Sequence, residues 1–424
     1  MKKILIITYY WPPKGGVGVQ RWLKLTKYLY KYNYKPIIYT PKNGLTPFSD
    51  SSLLDSIPDD LEVLKHRIFE PQSFFSFFKQ LSPNSDVLIK KNNGFFSKIF
   101  IWFRANFFIP DSRFLWIKPS VKFLFKYLKK NPVDIVISTG PPHSMHMIAL
   151  SLKKSFHIKW IADFRDPWTD IEYFEYLPLL SSVRKKHQQL EKEVISNVDL
   201  ALSVSPSWAQ NLYRIGAKNV EVITNGYDPD DYCFQSSDHD KAKFRIGHFG
   251  LYNELRDHSF FWKTLQKICA NNAIFSKDLH FSFAGEVHSN FFSNLQDYKF
   301  EKKIDYYKYL NHKDSIKKML ECDLLLVTQG HTQSVKGRLP AKFFEYLGSR
   351  KPILAIGKKN SDLEKLVSQV SYAWFVDFDN HKLLHDTIFN IYQLSKKNHK
   401  FNDDISQFSR KNHAKKIINL INNL

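Results

Sequence analysis

Short apolar runs recur along the chain at intervals that leave room for a helix between them. In the first half the runs lie at residues 4–9, 36–40, 133–139, 158–164, 198–205 and 220–225. Each run is continuously apolar instead of alternating with polar residues, which is typical of parallel strands that helices cover on both faces. The pattern predicts a doubly wound α/β domain.

The same pattern restarts after a polar segment. The later runs lie at residues 244–250, 279–285, 323–328, 351–356 and 373–376. A chain of 424 residues is too long for one ordinary hydrophobic core and suits two domains of about 200 residues each. We therefore predict a first domain at residues 1–228, a second at 229–400 and a terminal helix in 401–424.

Positive charge is concentrated near the start of the chain. The net charge is +21, and residues 1–130 contain 22 Lys and Arg against 8 Asp and Glu. The same region holds thirteen aromatic residues between Phe74 and Trp116. Such a field attracts polyanions, either nucleic acid or an anionic membrane surface.

No stretch of this aromatic region reaches the roughly 20 uninterrupted apolar residues of a membrane span, because Lys98 and Arg104 interrupt it. Basic and aromatic residues without a span favour a segment that lies on a bilayer. We predict an insertion at about residues 70–118 that faces an anionic membrane. The alternative is a pair of helices packed on the domain core with their lysines in solvent.

The N-terminal sequence predicts a buried strand of a cytoplasmic protein rather than a signal peptide. Its apolar run ends at Tyr9, and no small-residue cleavage site follows. The three cysteines, Cys233, Cys269 and Cys322, are scattered and odd in number, which argues against a disulfide framework or a zinc site. Together with the membrane-facing insertion, this predicts a peripheral protein on the inner face of the cell membrane.

A basic segment punctuated by glycine and proline, residues 336–348, follows the run at 323–328 and leads into a helix. Free N–H groups and the positive dipole end at the start of a helix favour an anion such as phosphate. Glu345 lies one turn into this helix, where it can accept hydrogen bonds from hydroxyls of the molecule that carries the phosphate. The segment predicts a nucleoside diphosphate pocket.

Two polar segments follow strands of the first predicted domain, at the edge where open parallel sheets bind ligands. Residues 138–146 include His143, which can contact a ligand or cap the next helix. Residues 163–168 bring two carboxylates and a guanidinium together, so Asp166 is a candidate base and Arg165 a candidate phosphate ligand. The alternative is an Asp-Pro turn closed by an Arg/Asp ion pair.

Five segments together carry a family resemblance. They lie in order at residues 11–18, 163–168, 224–228, 250–257 and 336–348. In order and spacing they resemble the nucleotide-sugar glycosyltransferases of the GT-B fold, in particular the large retaining family 4 group that builds bacterial surface polysaccharides. The resemblance covers nearly the whole chain. It implies two Rossmann-like domains facing a central cleft, with the donor bound mainly to the second domain and the acceptor to the first. In the family the terminal helix often crosses back to the first domain.

The resemblance also implies roles for single residues. His143 resembles the histidine beside the donor sugar, and Arg256 resembles the cation that neutralises the departing diphosphate. Two positions depart from the family pattern, since Gly337 stands where many members have a glutamate and Leu251 stands where many have an arginine. The charge of the missing arginine can come from residues 336–348 instead.

The predicted site therefore combines residues of both domains. The catalytic residues are His143, Asp166 and Arg256, the donor-binding residues are Gly15, Gly16, Gly250, Lys336, Pro340, Lys342, Phe343 and Glu345, and the acceptor-binding residues are Arg165 and Trp168. No cofactor and no divalent metal is expected, because protein cations can neutralise the diphosphate. The expected partners are a nucleotide sugar, a saccharide or lipid-linked acceptor and an anionic membrane surface, but no nucleic acid.

Two alternatives remain open at this stage. One is a sugar-nucleotide epimerase of the same fold, which would form its product without an acceptor. The other is a nucleic-acid-binding protein, which the basic and aromatic composition suggests. The aromatic residues cluster as Phe pairs, however, and no nucleic-acid-binding motif is present.

Overall fold

The structure is a computed structural model that describes residues 1–46, 48–71, 95–233 and 242–424. The chain divides into two compact units. Unit 1 consists of residues 1–224 and 413–424, and unit 2 consists of residues 225–412. The sequence prediction placed the boundary after residue 228 and treated residues 401–424 as a terminal helix.

Unit 1 contains a seven-stranded parallel sheet in the order β3-β2-β1-β4-β5-β6-β7. The strands are β1 (Lys3–Ile7), β2 (Lys35–Pro41), β3 (Glu62–His66), β4 (Ile135–Gly140), β5 (Lys159–Phe164), β6 (Leu200–Ser203) and β7 (Val220–Val222). The helices in the first part of the chain are α1 (Val17–Lys31), α2 (Phe95–Phe107), α3 (Phe114–Lys130), α4 (Ser144–Phe156), α5 (Glu172–Tyr176), α6 (Ser181–Asn197) and α7 (Pro206–Ile215).

The sheet of unit 1 is covered on both faces, because apolar side chains of its central strands enter two different core clusters. In β1, Leu5 and Ile7 belong to one core cluster, whereas Ile4 and Ile6 belong to another. Successive side chains of a strand point to opposite faces, so the two clusters lie on the two sides of the sheet. The last helix of the chain adds Ile417 to the second cluster.

Unit 2 contains a six-stranded parallel sheet in the order β10-β9-β8-β11-β12-β13. The strands are β8 (Phe244–Phe249), β9 (Leu279–Ala284), β10 (Ile304–Tyr307), β11 (Leu324–Thr328), β12 (Ile353–Gly357) and β13 (Ala373–Asp377). The helices are α8 (Ser259–Asn271), α9 (Ala273–Asp278), α10 (Phe291–Asp297), α11 (His312–Leu320), α12 (Ala341–Ser349), α13 (Asp362–Val367), α14 (His381–Lys396) and α15 (Arg410–Asn422), of which α15 continues into unit 1.

Both units have the strand order of a doubly wound sheet. The order reverses between β1 and β4 in unit 1 and between β8 and β11 in unit 2. Open α/β sheets bind ligands at such switch points, beyond the carboxyl ends of the strands. The predicted fold class, α/β with two doubly wound Rossmann-like domains, is confirmed.

The aromatic region near the start of the chain is partly core and partly surface. Residues 72–94 of the predicted insertion lie outside the described residues. Among the described ones, Phe108 and Trp116 are only 9% and 1% exposed, and Trp116 stacks on Tyr39 at 5.1 Å. In contrast, α2 exposes 54% of Phe107. None of the described helices combines the length and the apolarity that a membrane span requires.

Candidate functional site

The loops that follow β8 and β9 are in direct backbone contact at the carboxyl edge of the sheet of unit 2. The N–H of Gly250 donates to the carbonyl of Ala284 at 2.6 Å. A Cβ on Gly285 would lie 2.6 Å from the oxygen of Gly250, and both glycines have positive φ angles of +122° and +108°. Larger residues would strain the backbone and separate the loops. The close contact of the two loops therefore explains why residue 250, a predicted donor residue at the carboxyl end of β8, is a glycine.

The side chain of Lys342 lies against Gly250. A Cβ on Gly250 would come within 2.6 Å of Lys342 Cε. The ammonium of Lys342 donates to His248 Nε2 at 3.0 Å and to Leu251 O at 3.3 Å. The fold thus brings together two predicted donor residues that are far apart in the sequence.

Arg256 donates to the same carbonyl as Lys342. Its Nη1 lies 3.1 Å from Leu251 O, so the two cations are within two hydrogen-bond lengths of each other. We call Arg256 and Lys342 the cation pair. Like charges at this spacing repel each other, and an anion bound beside both removes the repulsion.

His248, near the end of β8, is a site residue that the sequence did not predict. Its Nδ1–H donates to Leu326 O at 3.0 Å, which leaves Nε2 to accept from Lys342. Burial, reinforced by the charge of Lys342, lowers the pKa of His248 well below its usual value. The ring is therefore neutral. The sequence signal was weak: a histidine in an apolar run, two residues before Gly250.

Helix α12 supplies the remaining predicted donor residues. Pro340 is its N-cap, and Lys336 is exposed on the preceding turn. Phe343 is fully buried and packs edge-on against Phe344 with ring centroids 5.8 Å apart. Its side chain is therefore part of the core of unit 2, and the predicted donor contact of Phe343 stays a prediction that its backbone would have to meet.

Glu345 lies one turn along α12. Burial raises the pKa of its carboxyl, although the charges of His312, Lys342 and Arg410 act in the opposite direction. The hydroxyl of Tyr232 donates to the backbone carbonyl of Glu345 at 2.5 Å. This contact fixes the backbone of the residue that is predicted to accept hydrogen bonds from hydroxyls of the donor.

In unit 1, Gly15 and Gly16 lie in the loop between β1 and α1. The N–H of Gly15 donates to Phe48 O at 2.9 Å, and Gly16 is the N-cap of α1 with a φ of +96°. No described atom lies within 4 Å of a Cβ placed on Gly16. Glycine is therefore favoured there by the backbone conformation, and the position leaves open space above the loop.

Asp163, at the end of β5, is a fully buried structural carboxylate. It accepts from Arg21 Nε at 3.0 Å and Nη2 at 2.8 Å, from Trp22 Nε1 at 2.6 Å and from Thr139 Oγ1 at 3.0 Å. The alternative for this segment, an Asp-Pro turn closed by an Arg/Asp ion pair, stays open. Asp163 forms its buried ion pair with Arg21 of α1 rather than with the nearby Arg165.

Arg165 is held between the loops that follow β1 and β4. Its Nη2 donates to Pro141 O, and its guanidinium lies 5.6 Å from the ring centre of Tyr10. A Cβ on Gly18 would lie 2.8 Å from its Nη1. Burial lowers the pKa of Arg165, while the neighbouring Asp166, which is half-buried, acts in the opposite direction.

A cavity of about 240 Å³ opens next to these loops in unit 1. It lies between α2, residues 110–113 and the loops that carry His143 and Trp168. The rings of His143 and Trp168 stack in parallel, with centroids 4.7 Å apart and planes 4° apart. Trp168 Nε1 donates to His187 Nδ1 at 3.1 Å, so the cavity wall is a connected aromatic layer.

His143 has unsatisfied hydrogen-bonding capacity in this wall. It is 5% exposed, and neither ring nitrogen has a hydrogen-bond partner among the described residues. It precedes α4 as the N-cap residue, but its side chain makes no capping hydrogen bond, so the capping alternative does not hold. Burial lowers the pKa of His143 and that of His187, the latter to about 4. A hydroxyl that enters the cavity can satisfy the neutral imidazole.

The described part of the chain contains no group of three or more His, Cys, Asp or Glu side chains that could hold a metal ion. Residues 47, 72–94 and 234–241 and the side chain of Glu172 lie outside this statement. The expected independence of metals and cofactors stays a prediction.

Two Rossmann-like units, each with polar loops at the switch point of its sheet, define the GT-B class of glycosyltransferases. The chain belongs to Glycosyltransferase Family 4, whose sequence profile matches residues 18–231. The family that the sequence resembles is thereby confirmed, and the protein is a glycosyltransferase. No curated protein sequence matches the chain.

Solved structures share this fold at low sequence identity. Sucrose-phosphate synthase from Thermosynechococcus elongatus has a TM-score of 0.67 at 11% identity and covers 100% of this chain and 99% of that chain. A TarM variant of S. aureus, in complex with fondaparinux, alpha-GlcNAc-glycerol and UDP, has a TM-score of 0.59 at 11% identity, with 100% of both chains covered. A putative UDP-N-acetylglucosamine 2-epimerase from Listeria monocytogenes has a TM-score of 0.58 at 11% identity, with 99% and 95% covered. At these identities the likeness shows the fold alone.

Proposed function

We propose that the protein is a retaining, metal-independent hexosyltransferase of bacterial surface polysaccharide synthesis. It moves a sugar from a nucleoside diphosphate sugar to a saccharide or a lipid-linked saccharide. The cation pair at Leu251 O carries this proposal, because a diphosphate presents the negative charge that two neighbouring cations neutralise.

The cation pair also suits the chemistry of the transfer. Breaking the bond between the sugar and the diphosphate leaves positive charge on the sugar carbon and negative charge on the phosphate. Arg256, Lys342 and the first N–H groups of α12 stabilise the negative charge more in the transition state than in the ground state. Since Lys342 is already held by His248, little reorganisation is needed when the charge develops.

The cavity of unit 1 is the proposed site of sugar contacts on that unit. His143 offers unsatisfied ring nitrogens to a sugar hydroxyl, and Trp168 supports its ring from one side. We assign Asp166 the proton of the acceptor hydroxyl and Arg165 a phosphate of a lipid-linked acceptor. Gly15 and Gly16 give a ligand access to the backbone of their loop.

A binding and transfer screen tests the proposed function. Thermal shifts against UDP-, GDP- and dTDP-sugars identify the donor, and NMR of the products with saccharide acceptors shows whether the sugar is transferred with retained configuration. An epimerised donor formed without an acceptor would support the epimerase instead. Binding to random oligonucleotides, with no nucleotide sugar bound, would contradict both enzyme functions.

Glu345→Ala is expected to weaken nucleotide binding by about 1–3 kcal/mol, the cost of an unmade hydrogen bond to a charged group. Isothermal titration calorimetry with the nucleoside diphosphate of the identified donor measures this loss. Glu301→Ala is the matched control, since Glu301 is exposed on a short turn of the same unit. If Glu345→Ala binds as tightly as this control, Glu345 does not belong to the site.

We also propose that α2 and α3 dock on an anionic membrane. Helix α2 exposes four large apolar side chains, which are Ile99 (48%), Trp102 (39%), Phe103 (43%) and Phe107 (54%). Helix α3 presents an exposed row of lysines, which are Lys118, Lys122, Lys126 and Lys130. The stacked rings of Phe108 and Phe114, 5.5 Å apart, join the end of α2 to the start of α3. Exposed aromatic residues next to a basic row suit the headgroup region of a bilayer.

Changing the four exposed residues of α2, Ile99, Trp102, Phe103 and Phe107, to Ser is expected to release the protein from vesicles that contain anionic lipid. Wild-type binding should weaken as salt rises, because each basic residue near the surface contributes about 1 kcal/mol of screened attraction. Co-sedimentation measures both effects. The matched control changes four exposed apolar residues of unit 2, Ile274, Phe292, Tyr309 and Leu383, to Ser. Equal sedimentation of the two variants would contradict the docking surface.

A further inference from the structure

We propose that His248 is a positioning residue that holds the ammonium of Lys342 at the loop after β8, so that the cation pair is assembled before a ligand arrives. The inference rests on the proposed donor site, because it concerns the diphosphate that the cation pair receives. It adds a residue to that site that does not itself contact the donor.

The orientation of His248 is set by three neighbours. On one side, Nδ1–H donates to Leu326 O of the adjacent strand β11 at 3.0 Å. The ring is 1% exposed and lies between the rings of Tyr252 and Phe283, with centroids 4.8 Å and 5.5 Å away. The ring therefore cannot turn, and its second nitrogen, Nε2, faces Lys342 Nζ at 3.0 Å.

Only a neutral ring of His248 can accept a hydrogen bond from the ammonium of Lys342. With the proton on Nδ1, the Nε2 lone pair accepts from the ammonium, whereas a protonated ring would offer a positive N–H to it. The charged groups that face the ring are Lys342 and Arg256, and both oppose its protonation after burial itself. Burial and the two cations thus keep the ring neutral, although the carbonyls of Leu326 and Leu251 act in the opposite direction. Donation to Leu326 O places the proton on Nδ1 and leaves Nε2, which also lies 3.4 Å from Leu251 O, to accept from Lys342.

Lys342 needs such a partner. Its side chain is long and flexible, and repulsion by Arg256 acts to move it away from Leu251 O. The lone pair of His248 and the carbonyl of Leu251 together hold the ammonium in place. Residue 251 itself is a leucine and adds no charge of its own.

Two substitutions of His248 separate its hydrogen bond to Leu326 from its hydrogen bond to Lys342. His248→Asn can keep the donation to Leu326 O but is too short to accept from Lys342, whereas His248→Gln can place an oxygen near the former Nε2. The probe is the nucleoside diphosphate, among UDP, GDP and dTDP, that binds the wild type most tightly in calorimetry. We expect His248→Asn to bind it about tenfold more weakly and His248→Gln to recover most of that loss.

A double-mutant cycle with Lys342→Met tests whether His248 acts through Lys342. If it does, His248→Asn combined with Lys342→Met binds no more weakly than Lys342→Met alone. A residue with a purely structural role would weaken binding in both backgrounds. Melting temperatures without ligand show that each variant is folded, and His248→Leu replaces His248→Asn if the latter is not.

The outcomes separate this inference from the proposed function. Wild-type affinity in His248→Asn, or additive losses in the double mutant, would overturn the role of His248 while the donor site stands. A wild type that binds none of the three diphosphates would overturn the donor site and this inference with it.

Discussion

Arg256→Ala is expected to lower kcat about 100-fold and to raise the Michaelis constant for the donor by much less. Arg256 is fixed next to Lys342 through Leu251 O, where it can meet the charge that grows on the departing diphosphate. Removing one preorganised group of this kind costs about 10²–10³ in kcat. An interaction made mainly in the transition state lowers kcat and kcat/KM together. Steady-state kinetics with the identified donor measures both constants.

Arg350→Ala is the matched control for this prediction. Arg350 is exposed, and its Nη1 also donates to a backbone carbonyl of unit 2, that of Asp403 at 3.0 Å. Its loss should leave both kinetic constants near the wild-type values. A rise in the Michaelis constant alone in Arg256→Ala would restrict Arg256 to binding the donor and would contradict the transition-state role.

The sheets could be predicted from the sequence because their central strands are buried on both faces. Every predicted run overlaps a strand, but β3 and β10 were not predicted. Both lie at the edge of their sheet, and none of their residues is fully buried. An edge strand that is only partly covered can keep polar residues, so it leaves no continuous apolar run to detect.

The cation pair could be predicted only as two separate cations. Arg256 and Lys342 stand in recognisable local patterns, but their shared acceptor depends on how α12 packs beside the loop after β8. His248 depends on the register of two neighbouring strands, in which Ile246 pairs with Leu324 and Gly247 with Leu325. That register places His248 beside Leu326. No local pattern encodes such a contact between distant segments.

Phe343 shows that neighbouring residues of one motif can face different surroundings. It follows Lys342 directly and was assigned the same role, but successive residues of a helix point about 100° apart. Lys342 faces the loop after β8, whereas Phe343 faces the core of unit 2. Assigning one role to all residues of a motif misses the difference between Lys342, which faces the loop, and Phe343, which packs in the core.

Residues 163–168 also divide between packing and binding, with Asp163 in a structural role and Asp166 in a proposed catalytic role. Stability measurements can distinguish the two residues. Asp163→Ala is expected to destabilise unit 1 by about 3–5 kcal/mol, because the guanidinium of Arg21 would remain buried without its counter-charge. Hydrogen exchange followed by mass spectrometry resolves the two units, and protection should fall in α1 and β5 but not in unit 2. Asp166→Ala is the matched variant, since Asp166 is half-buried. It should keep protection within about 1 kcal/mol and lose transfer activity.

The destabilisation by Asp163→Ala should depend on pH in a known direction. A simple loss of packing would not depend on pH in this way. Burial alone would raise the pKa of Asp163, but the charge and hydrogen bonds of Arg21 lower it below its usual value. A carboxyl with a depressed folded pKa stabilises the protein above its unfolded pKa of about 3.9 and loses that effect as the pH falls through the folded value. The difference in protection between the wild type and Asp163→Ala should therefore be full at pH 7 and should narrow below about pH 4. A difference that stays constant over this range would mean that the lost contacts, and not the ion pair with Arg21, account for the destabilisation.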